Sequence, residues 1–115
     1  MKQETVASII KWSEETFGDN ITLEGQLTKF RDELNEWLAT DRTDITELAD
    51  LAIVASSVAR FGVIEAISCF ACVAEEGSRS QFAGQQLEEA INNKMAINRK
   101  RKWSIGKGNF QHVGE

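Results

Sequence analysis

Not one of the 115 residues is proline. Proline breaks helices because its ring clashes with the preceding turn and it has no amide hydrogen to donate. Its absence leaves glycine and short polar runs as punctuation, and between them apolar residues recur at the helical period. Val6, Ile9, Ile10, Ser13 and Phe17 follow three- and four-residue steps and stop at Gly18, which predicts a first helix over 3–17. Leu27, Phe30, Leu34, Trp37 and Leu38 predict a second over 25–39. After the turn ATDRTD, Asp44 with Glu47 three residues on has the form of a helix cap. The run ELADLAIVASSVARF is apolar on more than one face, as a surrounded central helix is, and predicts a third helix over 45–60.

Residues 63–76 predict a fourth helix, with a strand as the competing reading because Val63, Ile64 and Ile67 are β-branched. A fifth, over 80–102, carries Ala83, Leu87, Ala90, Ile91 and Met95 on one side. The closing SIGKGNFQHVGE is glycine-rich and irregular. The expected fold class is therefore an all-α bundle of four to five helices, with a helical domain over 1–103 and a flexible tail over 104–115. A single core is thin at this length, burying roughly 65% of the unfolded surface, so oligomerisation is a natural supplement.

Charge narrows the function. The net charge of −5 hides a split at Lys94: residues 1–93 carry 7 basic and 17 acidic groups, residues 94–115 carry 6 and 1. An acidic body excludes coating of a nucleic-acid polymer by the whole surface, which needs a basic footprint. No apolar run approaches a membrane span, and the opening MKQETVASIIKWSEE turns charged too soon for a signal peptide. Two cysteines are too few for a disulfide scaffold. A cytoplasmic location is expected, with no membrane partner.

Two acidic pairs share one spacing on consecutive helices: Glu33-x-x-Glu36 and Glu47-x-x-Asp50. Positions three apart are neighbours on a helix face, so each pair presents two carboxylates together. A tight turn between the helices would bring all four beside the core. Two like charges at about 4 Å repel by about 4 kcal/mol at an effective dielectric near 20, so such a cluster needs protons or cations. Helix-borne oxygen ligands suit Mg²⁺ or Mn²⁺. The plainer account is ordinary solvated acids: Glu33 and Glu36 lie on the flank of their apolar stripe, and Glu47 in a first turn favours the helix dipole. Lys94, Asn98 and Arg101 form a second constellation along one face of the fifth helix, in line with Leu87 and Ile91. They suit phosphate oxygens, or else simply complement the helix C-terminus.

Other motifs carry less. Cys69-x-x-Cys72 has no second pair, and its neighbours Ile67, Phe70 and Val73 predict buried thiols acting as small hydrophobes. One histidine, His112, leaves a catalytic triad little support. Gly106 and Gly108 lack the strand and helix of a phosphate loop. Trp103 suits either stacking on a base or closing the bundle.

Together these motifs resemble the MazG-like all-α nucleoside triphosphate pyrophosphohydrolases: E-x-x-E on one helix and E-x-x-D on the next, an opening W-x-x-x-x-F-G at Trp12 to Gly18, Lys29 ahead of the first pair, and a closing K-x-x-x-N-x-x-R-x-W from Lys94 to Trp103. The combination is similar to the phage-associated branch acting on dATP and dGTP. Asp32 fills the place of a further family acid, while 62–84 is longer than that branch leads one to expect. The resemblance implies hydrolysis of a deoxynucleoside triphosphate between the α and β phosphates. It implies Mg²⁺, or Mn²⁺ in its place, on Glu33, Glu36, Glu47 and Asp50, with Glu36 also orienting or deprotonating water. Lys29, Lys94 and Arg101 then meet the triphosphate, and Asn98 meets sugar or phosphate. It further implies a homodimer or homotetramer, possible phage origin in a host cytoplasm, and purine preference. The rivals are the same fold acting on dUTP, dCTP or a noncanonical nucleotide, and a non-catalytic helical module that binds a nucleotide or protein.

Overall fold

The structure, a computed structural model, describes residues 3–106 and 108–113, with backbone alone for residues 105, 106 and 110–113. Five helices appear: α1 (Val6–Phe17), α2 (Leu23–Ala39), α3 (Ile45–Val58), α4 (Val63–Arg79) and α5 (Gly84–Asn98). The all-α class expected from the helical periodicity is the class found. Residues 63–79 are helical, which disposes of the strand alternative.

Local signals start the first three helices. Thr5 and Ser8 form a reciprocal capping box on α1, Thr22 Oγ1 accepts from the Gly25 amide to cap α2, and Asp44 Oδ1 accepts from the Thr46 amide to cap α3. Gly18 ends α1 at φ 56°, a conformation that L side chains adopt at a cost. The middle of α3 is enclosed, with Leu48, Leu51, Ile53, Val54 and Val58 all buried against α1, α2, α4 and α5. Each such side chain contributes about 1.5–3 kcal/mol of hydrophobic stabilisation.

A tight turn folds α2 back on α3, and two successive non-glycine residues within it, Asp41 and Arg42, have positive φ. Left-handed backbone costs about 1–2 kcal/mol per residue. Thr40 hydrogen bonds and an ion pair from Arg42 Nε to Glu76 Oε1 at 2.7 Å on α4 hold the turn in place.

Beyond α5 the structure departs from the sequence expectation. The helix ends at Asn98, short of residue 102, and the glycine-rich end forms an antiparallel hairpin: β1 (Lys102–Gly106) and β2 (Asn109–Val113), with Gly106 opposite Asn109. Periodicity overextends α5 because Arg99 to Lys102 is a run of good helix formers. The hairpin's anchorage decides otherwise. Trp103 Nε1 donates to the Asn98 carbonyl at 3.1 Å, and the Trp103 ring packs edge-on against Trp12 and Phe17.

Candidate active site

The four acids with Lys94, Asn98 and Arg101, singled out by spacing, and Lys29, singled out by the family resemblance, line one cleft of about 410 Å³. Lys29, Glu33 and Glu36 come from α2, Glu47 and Asp50 from α3, Lys94 and Asn98 from α5, and Arg101 from the bend before β1. Antiparallel packing of α2 on α3 sets the acidic pairs opposite one another. One carboxylate oxygen from each of Glu33, Glu36 and Glu47 lies within 4.8 Å of the others. Asp50 is placed differently, with Oδ1 3.4 Å from Lys94 Nζ. Lys29 Nζ stands 3.5 Å from Glu33 Oε1.

Burial is where the structure corrects the helical wheel. Glu33 was expected on the flank of its stripe; it is 9% exposed, because α3 packs over that flank. Burial is the largest cause pushing the Glu33 carboxyl up to about 8, followed by the charge of Asp50 and a hydrogen bond with Glu36. Burial and the Asp50 charge raise Glu47 as well. Asp50 is also raised by burial, against the opposing pull of Lys94. Oε2 of Glu33 and Oε2 of Glu47 are buried with no hydrogen-bond partner. Such oxygens cost free energy unless a proton or cation meets them.

The opposite wall is basic and amide. Lys94 reaches Asp50 rather than the carbonyls at the end of α5, which removes the helix-dipole account of this residue. Asn98 is 4% exposed; its Oδ1 has no partner and its Nδ2 faces only Met95 Sδ at 3.8 Å. Ile53, Val54 and Trp103 complete the lining. Sequence reading left Trp103 between two roles and did not place Ile53 or Val54 in a site, because both read as ordinary core positions of α3. Trp103 closes the bundle and lines the cleft at once.

The remaining motifs lie elsewhere. Cys69 is buried and Cys72 half-buried on α4, and burial pushes both thiols up, in keeping with small hydrophobes. Gly108 sits in the hairpin turn at φ 76°, and among the described residues no helix follows it to make a phosphate loop. The His112 side chain lies outside the described residues. Asp32 is exposed and does not line the cleft. Among the described residues no helix is long and apolar enough to cross a membrane.

The arrangement sets clustered carboxylates, with Lys29 beside Glu33, across from Lys94, Arg101 and a buried amide. The chain is similar to a phage nucleotide hydrolase. The relative, a dATP/dGTP diphosphohydrolase of Salmonella phage PMBT28, is 31% identical over 114 residues, covering 95% of this chain. The chain spans about a third of that relative's length, 32%. No family model matches the chain, and no solved structure matches it.

Proposed function

We propose that this cleft hydrolyses a deoxynucleoside triphosphate, purine preferred, to the monophosphate and pyrophosphate in the MazG-like manner. The observation that carries the reading is the convergence of Glu33, Glu36 and Glu47 on one point, two of them with orphaned buried oxygens, across from Lys94 and Arg101. Similarity of nearly the whole chain to about a third of a dATP/dGTP diphosphohydrolase supports it. The donor set fits a hard divalent cation, Mg²⁺ or Mn²⁺: all ligands are carboxylate oxygens, and a cation would take the place of the proton that burial first, and the Asp50 charge second, favour on Glu33. Glu33, Glu36, Glu47 and Asp50 would hold it. Bound there, it would supply Lewis-acid polarisation of the phosphates and acidify water.

The chain's own residues divide the rest of the work. Lys94 and Arg101, with Lys29 on α2, neutralise phosphate oxygens. Asn98, its carbonyl oxygen unpaired in a buried wall, accepts from a hydroxyl of the sugar or donates to phosphate. Glu36 is the exposed member of the trio and takes the proton of the attacking water. The water oxygen bonds to phosphorus as the α–β bridging bond breaks, and pyrophosphate leaves with the bonding electrons. The Ile53, Val54 and Trp103 wall keeps bulk water from that side.

A panel of deoxynucleoside and ribonucleoside triphosphates assayed for pyrophosphate with Mg²⁺ tests this. Release is expected, fastest with dATP or dGTP. Preference for dUTP, dCTP or a noncanonical nucleotide would keep the chemistry and change the substrate, and binding without release from any member would leave a non-catalytic module. Self-association as a dimer or tetramer belongs to the same reading. Val63, Ile64 and Ile67, 60–75% exposed on α4, offer an apolar face for it, and sedimentation velocity measures the outcome.

A further inference from the structure

The two walls of the cleft come from distant parts of the chain, and one close contact outside the cleft ties them together. The root of the hairpin carries Trp103 and follows directly on Arg101. Its tip reaches back to the first turn of α2, the helix that carries Lys29, Glu33 and Glu36. There the Thr22 amide donates to the Gly108 carbonyl at 2.8 Å, and Asn109 Nδ2, on a side chain 6% exposed, donates to the Gly25 carbonyl at 3.3 Å. The approach is possible because both partners are glycine. A Cβ on Gly25 would run into the Gly108 carbonyl, which is backbone and cannot rotate aside, and a Cβ on Gly108 would meet Thr22 Oγ1. That hydroxyl is already committed to the α2 cap through the Gly25 amide.

We infer that the Gly25–Gly108 contact is a positioning latch that fixes the Arg101–Trp103 wall against the acidic helix and so sets the grip on the triphosphate. Root and tip act together. Trp103 wedged against Trp12 and Phe17 holds one end of the hairpin, and the latch holds the other. With the tip released, β1 pivots at its root and Arg101 loses its registration with the acids, while Glu33, Glu36, Glu47 and Asp50 stay on α2 and α3. Glycine within α2 is otherwise unexplained, since alanine there favours the helix.

The inference rests on the triphosphate reading of the cleft, and Gly25→Ala separates the two. Measurements are the affinity for a nonhydrolysable dATP analogue with Mg²⁺, steady-state kinetics with dATP, Mn²⁺ binding without nucleotide, and amide exchange of 102–106 and 109–113. Gly25→Ala should speed exchange in the hairpin, weaken analogue binding on the order of tenfold to a hundredfold and raise KM more than it lowers kcat, with Mn²⁺ affinity and helix content unchanged. Gly77→Ala is the control, because a Cβ on this α4 glycine meets nothing within 4 Å; it should leave all four readouts as they are. Asn109→Ala, which removes one latch hydrogen bond without a clash, should shift exchange and affinity the same way by about threefold and decides the matter if Gly25→Ala does not fold. Unchanged analogue affinity in Gly25→Ala, whether or not the hairpin exchanges faster, overturns the latch and leaves the triphosphate reading standing. Absence of analogue binding by the unaltered protein removes that reading and the latch with it.

Discussion

Glu33 and Glu76 are glutamates of nearly equal burial, 9% and 6% exposed, and they hold their protons in opposite ways. Glu76, on α4, accepts from Arg42 Nε at 2.7 Å and Trp37 Nε1 at 3.0 Å, and the Arg42 hydrogen bond is the main reason its carboxyl lies below the usual value of 4.5. Glu33, on α2, has Lys29 at 3.5 Å and leaves one oxygen unpaired; burial, then the charge of Asp50 and a hydrogen bond with Glu36, push it up to about 8. A buried charge that is paired and hydrogen-bonded belongs to the architecture. A buried carboxyl left short of partners is what the proposed cation site requires. The Arg42–Glu76 pair secures the turn that delivers α3 beside α2, so the satisfied glutamate helps to build the site that the unsatisfied one serves.

The largest expected effect breaks the comparison on the functional side. Glu33→Gln should lower pyrophosphate release on the order of 10²- to 10³-fold while helix content by circular dichroism stays intact; turnover near the unaltered rate would return Glu33 to the architecture. Next in size is the cation. Mg²⁺ or Mn²⁺ at a hundred times its dissociation constant should stabilise the unaltered protein against urea by about 2.7 kcal/mol and Glu33→Gln by much less. On the structural side, Glu76→Gln should cost about 1.5–3 kcal/mol in urea unfolding, by weakening hydrogen bonds to a charged group. The protein that remains folded should keep its affinity for nucleotide.

The pH dependence of stability, measured without divalent cation, sharpens the contrast because the two signs oppose. Glu33 is raised in the folded state, so its contribution is complete below pH 4.5 and is lost as pH rises through about 8. Glu76 is lowered, so its contribution is present above pH 4.5 and is lost as pH falls through its folded value. Glu33→Gln should flatten the alkaline limb of the profile and Glu76→Gln the acid limb.

How far the sequence was legible differs between these regions. Glu33, Glu36, Glu47 and Asp50 stand out because a three-residue spacing on a helix is a local fact, repeated across a short turn. Lys94 and Asn98 stand out by a four-residue step on one helix face, whereas Arg101 falls past the end of α5 and reaches the cleft from the bend before β1. Glu76 carries no such mark: its partners are 34 and 39 residues away in the chain, and nothing near it in sequence distinguishes it from the adjacent Glu75. The hairpin was illegible for a related reason. Its strands are short, its turn is two residues, and its position depends on Trp12, Phe17, Thr22 and Gly25, all far from it in sequence.

By itself the sequence determined the elements: five helices from apolar periodicity uninterrupted by proline, the Asp44 cap, and which acids share a helix face. Those follow from interactions within a few residues. Arg101, expected on one face of α5 with Lys94 and Asn98, lies beyond the end of that helix. Tertiary structure alone decided that Glu33 is buried and Glu36 exposed, that Lys94 meets Asp50, and that the glycine-rich end folds back onto α2. Each of those outcomes depends on which distant surface removes water from a side chain, and desolvation, unlike helical period, is set by what packs on top.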